Sequence, residues 1–214
     1  MPAALATIHA LALVSCFALL GTSRIGACIR WLSLQGILLG LVPLITDAEG
    51  LGLRVLLLAG GNIALKGIIF PAVLLRLRAR TLYPREVEPF VGFIASILFG
   101  IVALGLSVWL GLELKPALPH APLLMLETAI FVVSVGLFTI VSRRSALMQV
   151  IGYLMLENGI FVFGVITVVA TPLLVELGVL LDAFVAVFVM GIAIFHINQE
   201  FGSMDVDQLN ALKG

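Results

Sequence analysis

Seven stretches of mostly apolar residues follow one another along the chain, separated by short polar or Pro/Gly-marked turns. An α-helix needs about 20 apolar residues to cross a bilayer, so each stretch predicts a membrane span. The spans expected are Ala3–Thr22, Ile25–Ile45, Leu53–Leu75, Phe90–Leu112, Pro122–Val141, Ala146–Ala170 and Leu173–Ile197. The pattern predicts an all-α, polytopic transmembrane helix bundle of about seven spans. Its parts are a front segment of three helices with its following loop (1–89), a four-helix segment (90–197) and a polar tail (198–214).

The last two spans each carry a carboxylate near the middle, Glu157 in one and Asp182 in the other. An ionised group at membrane depth is costly, by insertion scales about 2.5–3.5 kcal/mol at a helix centre, and commonly marks an ion or proton path. Counting at about 1.5 Å per residue places Glu157 ~16 Å from the start of its helix and Asp182 ~14 Å from the start of the next, both near mid-depth of a ~30 Å core. Lys66 is also well inside its span, so three ionisable groups fall in one layer. Glu127 and Glu176 lie only a turn or so from their helix ends, where they either reach the headgroups or extend the charged layer toward the outer side.

Burial raises a carboxylate's pKa and lowers a lysine's, and a nearby opposite charge counteracts both effects, so a Lys–acid set suits proton exchange. A static interhelical ion pair is the other reading these residues allow. Asn62, Asn158, Gln149 and Gln35 offer further polar groups along a wet route, or act as helix glue. Pro71, one turn after Lys66, leaves a backbone carbonyl without its helical donor and allows a local bend. The glycines Gly60, Gly61, Gly100, Gly105, Gly152, Gly159 and Gly164 have close helix packing as their default explanation.

Composition narrows the class. With 62% hydrophobic and 11% charged residues over 214, the chain exceeds the ~45–50% apolar share of soluble domains. Formal net charge is zero and no basic tract stands out, so a nucleic-acid partner is not expected. Cys16 and Cys28 lack a CxxC or CxxCH pattern, and the His196/Glu200 pair lacks further ligands, so no metal or redox centre is expected in this chain. Leu13–Cys16 looks like a lipoprotein cleavage site. No Lys or Arg precedes Arg24, however, so the first span reads as retained.

Basic residues set the orientation, since cytoplasmic loops are enriched in Lys and Arg. Arg24, Arg76, Arg78, Arg80, Arg85, Arg143, Arg144 and Lys213 all fall on one side of a seven-span chain. The expected topology is N-terminus outside and C-terminus cytoplasmic, in the cell (inner) membrane.

From Ser142 onward the order of features resembles the K-type subunit of respiratory complex I: an SRR turn, an IG entering a helix with a mid-span acid and Asn, a second helix with a mid-span acid, and a polar tail. Over its length the chain resembles the hydrogenase-4 membrane component E family of formate hydrogenlyase-type complexes. The residues that carry this likeness are Lys66 to Pro71, GYLMLENG at Gly152–Gly159, VELGVLLDAFVAV at Val175–Val187 and MDVDQLNALKG at Met204–Gly214. The K-type pattern puts its first acid at the position of Leu154, whereas this chain has Glu157 one turn on, within ~60° of the same face. Asp182 matches the second acid with a shorter side chain.

The resemblance implies a non-catalytic subunit of a group 4 nickel–iron hydrogenase-like complex. Lys66, Glu157 and Asp182, with Glu127 and Glu176, would contribute to a proton or sodium path. It also implies antiporter-like membrane subunits and a cytoplasmic hydrogenase module as partners, with the nickel–iron and iron–sulfur centres in those partners. The alternatives are the small subunit of a multisubunit cation/proton antiporter and a structural membrane-arm scaffold.

Overall fold

The computed structural model describes residues 2–46, 52–79 and 90–167. All of them belong to the first of two compact units, Met1–Glu176; the second, Leu177–Gly214, lies outside the described residues. The helices are α1 (Pro2–Gly21), α2 (Ile25–Gly40), α3 (Val42–Thr46), α4 (Leu53–Asn62), a π-helical segment Ile63–Ile69, α5 (Phe70–Ala79), α6 (Phe93–Leu114), α7 (Leu123–Ser142) and α8 (Ala146–Thr167). There is no strand element among the described residues. Among the described residues six helical runs are long and apolar enough to cross a membrane, and they correspond to the first six expected spans, with ends differing by a few residues. The expected seventh span, Leu173–Ile197, and the tail fall outside the described residues.

Two of the runs are interrupted, each at a proline. Pro43 has no N–H to give Leu39, and the second run breaks just before it at Leu41, whose own N–H turns to Leu38 O at 3.2 Å. In the third run the helix widens over Ile63–Ile69, and the Phe70 N–H reaches back five residues to Leu65 O. Pro71 follows at once, and such single-turn π segments are frequent at functional sites.

Small residues set how closely the helices approach. Along α6 the buried positions are Ser96, Gly100, Ala103, Ser107 and Gly111, one narrow stripe. A Cβ on Gly100 would stand 2.8 Å from Phe17 Cε1 of α1, and one on Gly111 2.8 Å from Glu127 Cγ of α7. Most of the rest of α6, including Ile94, Leu98, Val102 and Trp109, is exposed. Lipid is as apolar as these side chains, so packing rather than hydrophobicity decides which face turns inward.

α7 and α8 form the tightest pair. A Cβ on Gly136 would stand 2.5 Å from Leu156 N, one on Gly152 2.9 Å from Ile140 N, and one on Gly159 2.8 Å from Val133 N. The two backbones therefore touch along three successive turns. Among the described residues nothing stands close to a Cβ at Gly60, Gly61, Gly105 or Gly164, so no close helix approach within them accounts for these four. Ile8 and Ala12 of α1, Leu39 of α2, Val42 of α3, Met125 and Ala129 of α7 and Val162 of α8 join in one apolar cluster.

Candidate functional site

Lys66 Nζ lies 3.5 Å from Glu157 Oε1, and both side chains are buried, 5% and 2% exposed. The lysine sits in the middle of the π segment, thirteen residues from the start of α4, and the glutamate eleven residues into α8. At ~1.5 Å per residue both are near mid-span. The structure thus brings together two of the three groups placed in one layer by counting, and Glu157 faces protein rather than lipid. Phe161, one turn beyond Glu157, has its ring centroid 5.5 Å from Lys66 Nζ, within range of a cation–π contact.

The lysine's backbone is held by α2. Gly36 stands so close that a Cβ there would be 2.9 Å from both the carbonyl carbon and oxygen of Lys66, and a Cβ on Gly67 would be 2.6 Å from Ile37 Cγ1. Ser33 Oγ donates to Gly67 O at 2.5 Å. Gly67 is four residues before Pro71, so its carbonyl is the one a regular α-helix would pair with the missing proline N–H. The carbonyl expected to be deprived by Pro71 is therefore satisfied by a hydroxyl from a neighbouring helix.

On the other side of α2, Gln35 joins a chain of side-chain hydrogen bonds. Asn158 Nδ2 donates to Gln35 Oε1 at 3.4 Å. Gln35 Nε2 donates to Ser15 Oγ at 3.2 Å and approaches Cys16 Sγ at 3.3 Å, and Ser15 Oγ donates to Ala12 O at 2.7 Å. Ser15, Gln35 and Asn158 are each at most 1% exposed. Asn62 is buried one turn before Lys66. Gln149 lies elsewhere, its Nε2 donating to Arg143 O at 3.1 Å near the start of α8.

Glu127 is 7% exposed and packs its Cγ against Gly111 of α6, so the bundle covers it. Next to it, Thr128 Oγ1 meets His9 Nδ1 at 2.6 Å, and the same ring nitrogen is 3.1 Å from Leu124 O. The histidine is thus tied to α7. Asp182 and Glu176 lie outside the described residues. Among the described residues no three His, Cys, Asp or Glu side chains gather as a metal site. Cys16 and Cys28 are buried in the packing.

One buried charge escaped the sequence reading. Arg143, grouped there with the loop arginines that set orientation, is 0% exposed. Its Nη2 donates to Leu20 O in the last turn of α1 at 2.8 Å, and its guanidinium carbon is 4.8 Å from the Phe93 ring centroid. Arg144 instead lies over Phe90, at 4.7 Å. A cation at a helix C-terminus complements the partial negative charge of the unpaired carbonyls. A double arginine next to a helix end carries no sign of which member turns inward.

A bundle of apolar helices enclosing a lysine–glutamate pair at mid-depth defines a multi-pass membrane protein with a buried charged layer. The family model for NADH-ubiquinone/plastoquinone oxidoreductase chain 4L matches residues 124–214. An uncharacterized protein of Mycobacterium tuberculosis is 30% identical over 191 residues, 87% of this chain and 86% of its own length. Hydrogenase-4 component E of Escherichia coli K12 is 42% identical over 79 residues, 37% of each chain, and that of Shigella flexneri matches equally. No solved structure matches significantly. The chain belongs to one family with the mycobacterial protein over most of its length; its back half matches the chain 4L (K) type, and over 79 residues it is similar to hydrogenase-4 component E.

Proposed function

We propose that this protein is an integral membrane subunit of a complex I-like, group 4 nickel–iron hydrogenase complex, and that it contributes buried charge to a proton or sodium path coupled to electron transfer. The observation that carries the reading is the Lys66–Glu157 pair, 3.5 Å apart with both side chains buried, in a chain whose back half matches chain 4L. Each member offers the other a counter-charge at a depth where neither is stable alone. A proton arriving at Glu157 releases Lys66, and a proton leaving restores the pair. Asp182 would continue the layer on the next span, with Glu127 and Glu176 leading toward the outer side.

In this reading the chain has seven spans, an outside N-terminus and a cytoplasmic C-terminus. It holds no cofactor of its own. Antiporter-like membrane subunits flank it, and the nickel–iron and iron–sulfur centres belong to a cytoplasmic module of the same complex. The small subunit of a cation/proton antiporter is less well supported, because that component resembles the back half alone and a seven-span chain is longer. A static scaffold shares the same geometry and differs in one outcome. Glu157→Gln in the intact complex should leave assembly and electron transfer in place and lower redox-linked ion translocation several-fold. Full coupling in that variant would favour the scaffold.

A further inference from the structure

The lysine and the glutamate stand on elements that pack against α2 more than against each other. α2 is the common neighbour, and within four residues it grips both. Ser33 and Gly36 fix the backbone at Lys66 and Gly67, while Gln35, on a different face of α2, holds Asn158. Asn158 follows Glu157 directly, so the two side chains leave α8 ~100° apart. The glycine seam with α7 holds one side of α8, and a hydrogen bond that fixes the direction of Asn158 holds another, and with it the direction of Glu157.

The chain of donors is ordered: Asn158 to Gln35, Gln35 to Ser15, Ser15 to the Ala12 carbonyl. Every member is buried, and buried amides exchange such partners only at a cost, so the arrangement resists rotation.

We propose that Gln35, supported by Ser15 and Asn158, is a positioning residue that holds Glu157 on Lys66. This deepens the ion-path reading and rests on it for its purpose. With Gln35 unable to bond, the face of α8 away from its glycine seam with α7 loses its hold on α2, the carboxylate separates from Lys66 more often, and it takes up a proton when it does.

The test is isotope-edited infrared difference spectroscopy of the intact membrane-bound complex, with the Glu157 carboxyl band identified as the one that Glu157→Gln removes. In Gln35→Leu, the protonated-carboxyl intensity at that band should rise at least twofold at pH 7. In the exchanged pair Gln35→Asn with Asn158→Gln, which keeps the combined side-chain length, it should return toward the original, whereas Gln35→Asn alone should resemble Gln35→Leu. A Gln35→Leu complex with the original band, or an assembled exchanged pair no better than Gln35→Asn, overturns the positioning role. If Gln35→Leu fails to accumulate, Gln35→Asn against the exchanged pair decides the same question. An unchanged band leaves the ion-path reading intact. Full coupling in Glu157→Gln removes that reading and leaves the band comparison standing.

Discussion

Lys66 Nζ and Glu157 Oε1 are 3.5 Å apart with at most 5% of either side chain exposed, so neither charge has water to fall back on. Removing one partner of a buried pair typically costs about 3–5 kcal/mol, whereas replacing both with apolar groups is often close to neutral. Lys66→Met alone should therefore lower the thermal stability of the purified protein clearly, and Lys66→Met with Glu157→Leu should recover most of the loss. Thermal unfolding in one detergent or lipid environment measures both, and equal losses in the single and double variants would contradict the pairing.

The bond from Ser33 to Gly67 predicts a second kind of non-additivity. Ser33→Ala leaves the Gly67 carbonyl without its side-chain donor, a loss of about 1–3 kcal/mol if the group stays buried. Pro71→Ala restores an N–H where an α-helical register would pair it with that same carbonyl. The Ser33→Ala penalty should thus shrink in the Pro71→Ala background. An identical penalty in both backgrounds, measured by unfolding, would show the two sites to be independent.

Glycines sort into two groups by what surrounds them. Gly136→Ala and Gly159→Ala each force a methyl against the backbone of the facing helix, within 2.5 Å and 2.8 Å of a peptide nitrogen, and should cost at least about 1–3 kcal/mol through overpacking. Gly60→Ala and Gly105→Ala meet open space, and should leave stability unchanged or raise it by up to ~1 kcal/mol. Accumulation in membranes, followed by unfolding of the purified variants, separates the groups.

Arg143 and Arg144 are neighbours in sequence with different tasks. Arg143→Ala removes a buried charge-assisted hydrogen bond to Leu20 and a cation–π contact with Phe93, together about 2–4 kcal/mol. Arg144→Ala loses an exposed contact over Phe90, with an expected change under ~1 kcal/mol. Equal thermal shifts for the two variants would overturn this assignment.

Much of the bundle was legible because membrane depth is a strong, one-dimensional signal. Run length alone placed six spans, and residue counting put Lys66 and Glu157 at the same level. What counting cannot supply is which helices touch. The pairing of Gln35 with Asn158, 123 residues apart, depends on helix neighbours that no local pattern encodes, and so does the rescue of Gly67 by Ser33. Pro71 announced a disturbed backbone but not that it would take the form of a π segment around Lys66. Glycine was an imperfect guide for the same reason. Gly152 and Gly159 mark the α7–α8 seam, while Gly60 and Gly105, equally prominent in the sequence, mark no contact among the described residues. Glu127 read as headgroup-reaching or path-forming, and α6 settles only that it is covered.

The bond between Arg143 and Leu20 spans 123 positions of chain. At about 5–20 residues per second of synthesis, roughly 6–25 s pass between the appearance of the first helix end and of the side chain that seals it. During that interval the carbonyls ending α1 must rely on water or on the insertion machinery. The C-terminal end of α1 is thus sealed long after α1 itself is made, which gives a late-arriving residue a say in where that end settles.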